Sequence, residues 1–373
     1  MKRFIVFYAP RYYAHYDAFP LRVFRQSLRE CGIEVEFHHT IKEVCSKIFD
    51  GAILSGYQVW RVFGYSNPVP SHFLVPHLEH LRNRFGYLVW IDSHDSANIA
   101  FRWVLEYVDL YLKKQLWLRK CLYQKPLYGD VLFKEFYHRK YGIEEPGIAP
   151  GTTICPNLLD RIQVGWNLSL IDWQFHGRGR IIRGLRVYFP TPNYVMPFST
   201  KPLKLRRYDL VWRGRDHRDT HPIVAFHRNS IRTEVEKICN KLHLTAITSG
   251  QVAFGQFQRE MQDSRIVVSP FGWGEICFRD FECFAAGAVL LKPNMGHLQT
   301  WPNLYQPYVT YVPFKWDFSD IGDKIEDILS HISEYEQIAQ EGQKQFRRVL
   351  SPEFGREFAE HFRELLRLVG IIE

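Results

Sequence analysis

Along the first half of the chain, short runs of apolar residues alternate with longer stretches in which apolar positions recur every three or four residues. That alternation is the βαβ pattern of a mostly parallel sheet. Phe4–Ala9 reads as a first strand, Leu21–Cys31 closed by Gly32 as a helix, Glu34–His38 as a second strand and Gly51–Gly56 as a third. Val75–Phe85 is predicted helical with Gly86 as its C-cap, and Tyr87–Asp92 is a buried strand ending in a carboxylate. Ser96–Tyr107 has helical spacing, and Val108–Leu112 is extended.

Between Arg186 and Lys204 the pattern breaks on Pro190, Pro192, Pro197 and Pro202, residues that cannot sit inside helices or central strands. A second βαβ series follows. Its strands are Tyr208–Arg213, Arg265–Pro270, Ala288–Lys292 and Val309–Pro313; its helices are Ser230–Leu242, Glu275–Ala286, Ser319–His331 with Ser319 as N-cap, and Glu334–Val349. A last apolar stripe runs through Phe354, Phe358, Phe362, Leu365, Leu366 and Val369. The chain therefore divides into an N-terminal Rossmann-like domain (1–189), a proline-rich linker (190–204), a second Rossmann-like domain (205–350) and a terminal helix (351–373). A length of 373 residues agrees with two cores rather than one.

Composition narrows the partners. A net charge of +8 points to an anionic one, and basic residues gather from His176 to Arg186 and from Lys204 to Arg218. No helix-turn-helix, zinc-finger or RNP motif accompanies them, so a nucleic acid is not the expected partner. The seven cysteines are scattered, with no C-x-x-C pair, which fits a reducing cytosol and neither a disulfide framework nor a thiolate metal site. No apolar run has the length of a signal-peptide core or a membrane span. The positive charge allows peripheral contact with an anionic membrane surface.

The most informative stretch is Ser264–Gly287, where a strand leads through Phe271-Gly272-Trp273-Gly274-Glu275 into a helix carrying Arg279 and Glu282. Unpaired N–H groups and the positive end of the helix dipole at such a turn suit a diphosphate. On a helix beginning at Glu275, the side chains of Glu275, Arg279 and Glu282 share one face, where carboxylates can accept hydrogen bonds from sugar or ribose hydroxyls. The alternative is a tight turn followed by ordinary surface ion pairs.

Gly-Trp-Gly-Glu, then Arg-x-x-Glu, then Ala-Ala-Gly before a hydrophobic strand resembles the donor-site segment of GT-B glycosyltransferases of the exostosin-like and glycosyl-transferase-group-1 kind. The resemblance covers about residues 208–350. It implies two Rossmann-like domains facing across a cleft, a C-terminal helix crossing back to the first domain, and transfer of a sugar from a nucleotide-sugar without a metal cofactor. It also implies that Glu282 binds the nucleotide ribose and that Gly272, Trp273 and Gly274 approach the phosphates. Six residues separate Glu275 from Glu282, whereas many retaining members have seven, so the role of Glu275 and the stereochemical outcome stay open.

Further donor-site candidates are Arg228 and Arg232, on a segment entering a helix, Arg213 and Arg215 just past a strand, and His297 in a loop after one. In the first domain Asp92, His94 and Asp95 follow a strand and include a candidate general base for an acceptor hydroxyl; the competing reading is a helix N-cap. The function expected is a cytoplasmic glycosyltransferase acting on a glycan or lipid-linked acceptor in polysaccharide or glycoconjugate biosynthesis. Another nucleotide-sugar enzyme, such as an epimerase, and a basic nucleic-acid-binding protein are the alternatives.

Overall fold

A computed structural model describes residues 1–10, 12–43, 49–148, 151–173, 197–214 and 221–373. Arg215, the basic run from His176 to Arg186, and Pro190 and Pro192 lie outside these residues.

The first sheet is built from β1 (Lys2–Phe7), β2 (Ile33–His38), β3 (Gly51–Ser55), β4 (Tyr87–Asp92), β5 (Leu110–Lys113) and β7 (Ile162–Val164), all parallel, in the order β2-β1-β3-β4-β5-β7. A short strand, β6 (Gln115–Trp117), stands outside it. Helices α1 (Tyr12–Val23), α2 (Arg25–Glu30), α3 (Val59–Val62), α4 (Ser71–Arg84) and α5 (Leu132–Tyr141) belong to this half. Strands with both faces covered read as unbroken apolar runs, and β1 shows why. Phe4 and Val6 enter one buried cluster while Ile5 and Phe7 enter another on the opposite face.

The second sheet holds β8 (Tyr208–Val211), β9 (Ala246–Ile247), β10 (Ser264–Val268), β11 (Val289–Pro293) and β13 (Val312–Phe314), also parallel, in the order β13-β11-β10-β8-β9. Around it lie α6 (Pro222–Leu242), α7 (Phe254–Gln262), α8 (Phe278–Ala286), α9 (Ile321–Ser330) and α10 (Ile332–Val349). In each sheet the first strand lies between the second and the third. Strand order therefore reverses at β1/β3 and at β8/β10, and crevices open beyond the carboxyl ends of those pairs.

Several elements join the halves, the terminal helix, a short strand pair and Asn167 among them. The terminal helix α11 (Phe354–Leu368) returns to the first domain, where Phe358 packs 5.3 Å from the Phe24 ring and His361 Nε2 lies 2.9 Å from the Gly165 carbonyl. Strand β12 (Leu298–Thr300) pairs antiparallel with β6, Leu116 opposite Gln299. Asn167 Nδ2 donates to Thr300 Oγ1 at 3.0 Å and to the Pro302 carbonyl at 2.8 Å. Two Rossmann-like domains with a helix crossing back make this the GT-B architecture. No described helix is long and apolar enough to cross a membrane.

Several boundaries differ from the sequence pattern. Ser96–Tyr107 forms only a short 3₁₀ turn at Arg102–Val104. Side chains take over its backbone groups: Asp92 Oδ2 accepts from Ala100 N–H, Tyr111 Oη from Phe101 N–H, and Tyr123 donates to the Ala97 carbonyl at 2.7 Å. Gly86 does not cap α4, which ends on extended Phe85 and runs on to β4. Asp320, not Ser319, occupies the N-cap of α9. The segment around Arg228 is already inside α6 rather than in a loop leading to it, because Pro222, which needs no N–H partner, opens the helix at its first turn.

Candidate functional site

At the carboxyl end of β4, Asp92 is fully buried and, besides Ala100 N–H, takes four hydrogen-bonding or ionic contacts from three residues. Tyr111 Oη donates to Oδ2 at 2.6 Å and Lys113 Nζ lies 3.1 Å from the same oxygen. His94 approaches Oδ1 with both its backbone N–H and Nδ1, each at 2.9 Å. Burial opposes the charge on Asp92, but Lys113 and His94 outweigh it and hold the carboxyl below the usual range. Nδ1 is the ring nitrogen turned to this carboxylate, which leaves Nε2 on the far side of the ring, and the His94 side chain is 42% exposed. Asp95 faces Lys114, whose Nζ lies 3.1 Å from Oδ1.

Beside them, Asp17 of α1 is buried against the Ser55 hydroxyl, which donates to it at 2.5 Å. Burial pushes its carboxyl up to about 7, the hydrogen bonds from Ser55 and Ser93 opposing and the nearby charge of Asp92 assisting.

Across the cleft, β10 ends in a turn closed by the Gly272 N–H to Gly274 carbonyl bond at 2.9 Å. Buried His227 anchors this turn: Nε2 accepts from Phe271 N–H at 2.9 Å, and Nδ1 lies 2.7 Å from Tyr137 Oη. Burial, with Arg228 and Lys292 nearby, holds the His227 pKa well below its ordinary value, so the ring is neutral. The helix after the turn starts at Phe278, three residues later than the sequence pattern places it. Asp280 sets that start, accepting from Cys277 N–H at 3.0 Å while also bonded to Ser269, Tyr305 and Lys292. Glu275 is therefore not on a helical face with Arg279 and Glu282.

It is instead buried between the domains. Gln115 Nε2 donates to its Oε2 at 2.7 Å, and His297 Nε2 lies 3.7 Å from Oε1, which has no hydrogen-bond partner among the described residues. His297 in turn meets the edge of the Trp316 ring. The turn touches the other domain directly, the Gly274 backbone packing against the Asp95 carbonyl.

At the carboxyl ends of β8 and β10, where the strand order reverses, a cavity of about 530 Å³ is walled by Arg213, Arg228, Arg279, Trp273 and Phe257. Arg279 stands over the Phe257 ring and donates to the Arg213 carbonyl, and burial lowers its pKa. Its Nε is buried with no acceptor among the described residues. Arg213 is largely committed, bidentate to Glu260 and bonded to the Ser249 and Gly250 carbonyls. Arg228 Nε approaches the Phe271 carbonyl, and Trp273, 45 % exposed, closes one side against His221. Arg232 lies on a more exposed face of α6 beside Glu236, away from the cavity wall. Glu282 is buried on α8 near Arg279.

The structure thus gathers Arg213, Gly272, Trp273, Gly274, Arg228 and Arg279 on one side and Asp92, His94 and Asp95 on the other, and puts Glu275 and His297 at the seam between them. Lys113, Gln115, Asp17 and His227 escape a reading of the sequence. Of these only Lys113, at the end of β5 and followed by Lys114, signals itself, as a charge interrupting an apolar run. Another basic residue of the second cluster, Arg206, is a structural pin whose guanidinium binds the Ser264, Ala286 and Gly287 carbonyls. Among the described residues no three His, Cys, Asp or Glu side chains come together as metal ligands.

No protein-family profile and no curated protein sequence matches the chain. Solved structures with a related arrangement include HepE of Anabaena in complex with UDP, at 10% identity over 98% of this chain and 100% of that one, TM-score 0.41. An alpha-glucosyltransferase in complex with UDP-glucose and abasic-site DNA has 11% identity over 97% and 99%, TM-score 0.42. MnaA of S. aureus with UDP has 9% identity over 100% and 98%, TM-score 0.41.

Proposed function

We propose that the protein is a glycosyltransferase that takes a nucleotide-sugar in the crevice beyond β8 and β10 and transfers the sugar to a glycan or lipid-linked acceptor. One observation carries the reading: Arg279, whose buried Nε has no acceptor among the described residues, lines a cavity that Arg228 also lines. A buried cationic donor with an unmet bond is a place for an anion. A volume of about 530 Å³ is in the range that small-molecule sites occupy, and Trp273 and Phe257 offer ring faces to a base or a sugar.

The chemistry assigned to the two sides is complementary. Arg228 and Arg279 stabilise the departing diphosphate, which leaves with the electron pair of the sugar C1–O bond. The acceptor oxygen forms the new bond to C1 and gives its proton to His94 Nε2, with Asp92 fixing the tautomer and stabilising the imidazolium. A base in that role makes the reaction a direct displacement with inversion. The cationic groups and the turn take the part a metal plays elsewhere, so the reaction is proposed to be metal-independent.

The experiment is a nucleotide-release assay with UDP-, GDP-, ADP-, dTDP- and CMP-sugars and a mixture of glycan acceptors, in EDTA. One donor class releasing nucleotide, with release abolished by His94→Gln, supports the reading. No release from any donor, or equal release by His94→Gln, contradicts it.

A further inference from the structure

Residues of helix α6 line two cavities on different faces. Arg228 faces the basic crevice. Phe226, Asn229, Ser230 and Thr233, spaced i, i+3, i+4 and i+7, line a separate cavity of about 620 Å³ on another face. Its far walls are Tyr141 at the end of α5 and the loop after β13 that carries Asp317.

The make-up of this cavity differs from that of the crevice. Tyr141, 39 % exposed, and Phe226 form an aromatic corner with ring centroids 4.9 Å apart. Beside it, the side chains of Asn229, Ser230 and Thr233 make no hydrogen bond among the described residues, although each can both donate and accept. The ionised groups in the wall, Glu234 and Asp317, are acidic; Glu234 is paired with Lys237 and Asp317 with Lys140. Nothing in the wall is built to take a phosphate.

We infer that this cavity binds neutral sugar residues, with Tyr141 and Phe226 covering the C–H face of a pyranose and Asn229, Ser230 and Thr233 pairing with its hydroxyls. Aromatic faces beside uncommitted amide and hydroxyl groups are the chemistry that recognises a carbohydrate. Glu234 and Asp317 already hold Lys237 and Lys140, so among the described residues the wall offers no uncommitted cation to a nucleotide or an acidic glycan. Because Arg228 and Asn229 are consecutive on α6, and so about 100° apart around it, the cavity and the crevice lie on neighbouring faces of one helix. A bound oligosaccharide therefore lies beside the crevice, as the part of an acceptor remote from the new bond. This last step rests on the function proposed above; the carbohydrate site itself does not.

The test is binding of the full-length protein to an array of neutral and acidic oligosaccharides, followed by titration of the best neutral binder into wild type, the double variant Tyr141→Ala/Asn229→Ala, and Thr233→Trp, which fills the cavity. The expected result is selective binding of neutral glycans, weakened about tenfold or more in both variants by loss of the ring platform, the amide or the space. Nucleoside diphosphate affinity and thermal midpoint should stay at wild-type values. No neutral glycan bound, or a bound one indifferent to both variants, overturns the inference. Nucleotide binding that persists in that case leaves the proposed transferase standing, whereas glycan binding without nucleotide binding would separate the two the other way.

Discussion

Gly274 has no side chain, and the structure leaves no room for one. A β-carbon there would lie 1.8 Å from the Asp95 carbonyl oxygen, 2.2 Å from its carbon and 2.7 Å from Ser96 N, all backbone atoms of the opposite domain. Non-bonded heavy atoms rest at about 3.5 Å, so Gly274→Ala must part the two loops by about 1.7 Å. The next residue is Glu275, whose bond from Gln115 Nε2 is 2.7 Å long; that displacement takes it out of hydrogen-bonding range. Losing a hydrogen bond to a charged group costs about 1.5–3 kcal/mol, and overpacking adds about 1–3 kcal/mol. A loss of about 3–5 kcal/mol lowers the thermal midpoint of a chain this long by about 4–6 °C. Turnover should fall further, about 100-fold, because the turn sets the crevice against His94 and a misplacement of about 1 Å has that effect. Differential scanning calorimetry and the nucleotide-release assay measure the two quantities. A Gly274→Ala protein with wild-type midpoint and turnover would refute the reasoning that the two domains meet at this turn.

His94→Gln should lower turnover about 10²–10⁴-fold while leaving donor affinity intact, as initial rates and calorimetric titration would show. Asp92→Ala leaves Lys113 buried without its counterion and should destabilise the fold by about 3–5 kcal/mol, read from urea unfolding at pH 7. Asp17 has the opposite sign of shift, its folded carboxyl lying near 7, above its unfolded value. Its contribution is whole below about pH 4, where both states are protonated, and is lost as pH rises to about 7, at about 1.4 kcal/mol per unit. Urea midpoints of wild type and Asp17→Asn should therefore agree near pH 4 and diverge in favour of the variant by pH 7.5; parallel profiles would contradict the shift.

How much of this was legible beforehand depended on whether the signal was local. Tyr87–Asp92 was readable to the residue, because a strand covered on both faces is an unbroken apolar run. Ser96–Tyr107 was not, since its buried Ala97, Val104 and Leu105 have helical spacing while Asp92, Tyr111 and Tyr123, residues of other segments, supply its hydrogen bonds. The site divides in the same way. Gly272, Gly274 and Arg279 stood out through a turn motif and a charge on a helix. The displacement of Glu275 from that helix depended on Asp280, whose partners Tyr305 and Lys292 approach only in the folded chain. The pairing of Glu275 with Gln115, 160 positions away, has no sequence signal.

The central claim is that the crevice beyond β8 and β10 holds the diphosphate of a nucleotide-sugar on Arg279. Calorimetric titration of UDP, GDP, ADP, dTDP, CDP and CMP into wild type and Arg279→Ala, in EDTA, tests it most directly. The account predicts that one nucleotide class binds the wild type and binds the variant about tenfold or more weakly, the effect of removing a charged hydrogen-bond donor. Absence of binding by every nucleotide, or equal affinity in the two proteins, would contradict it.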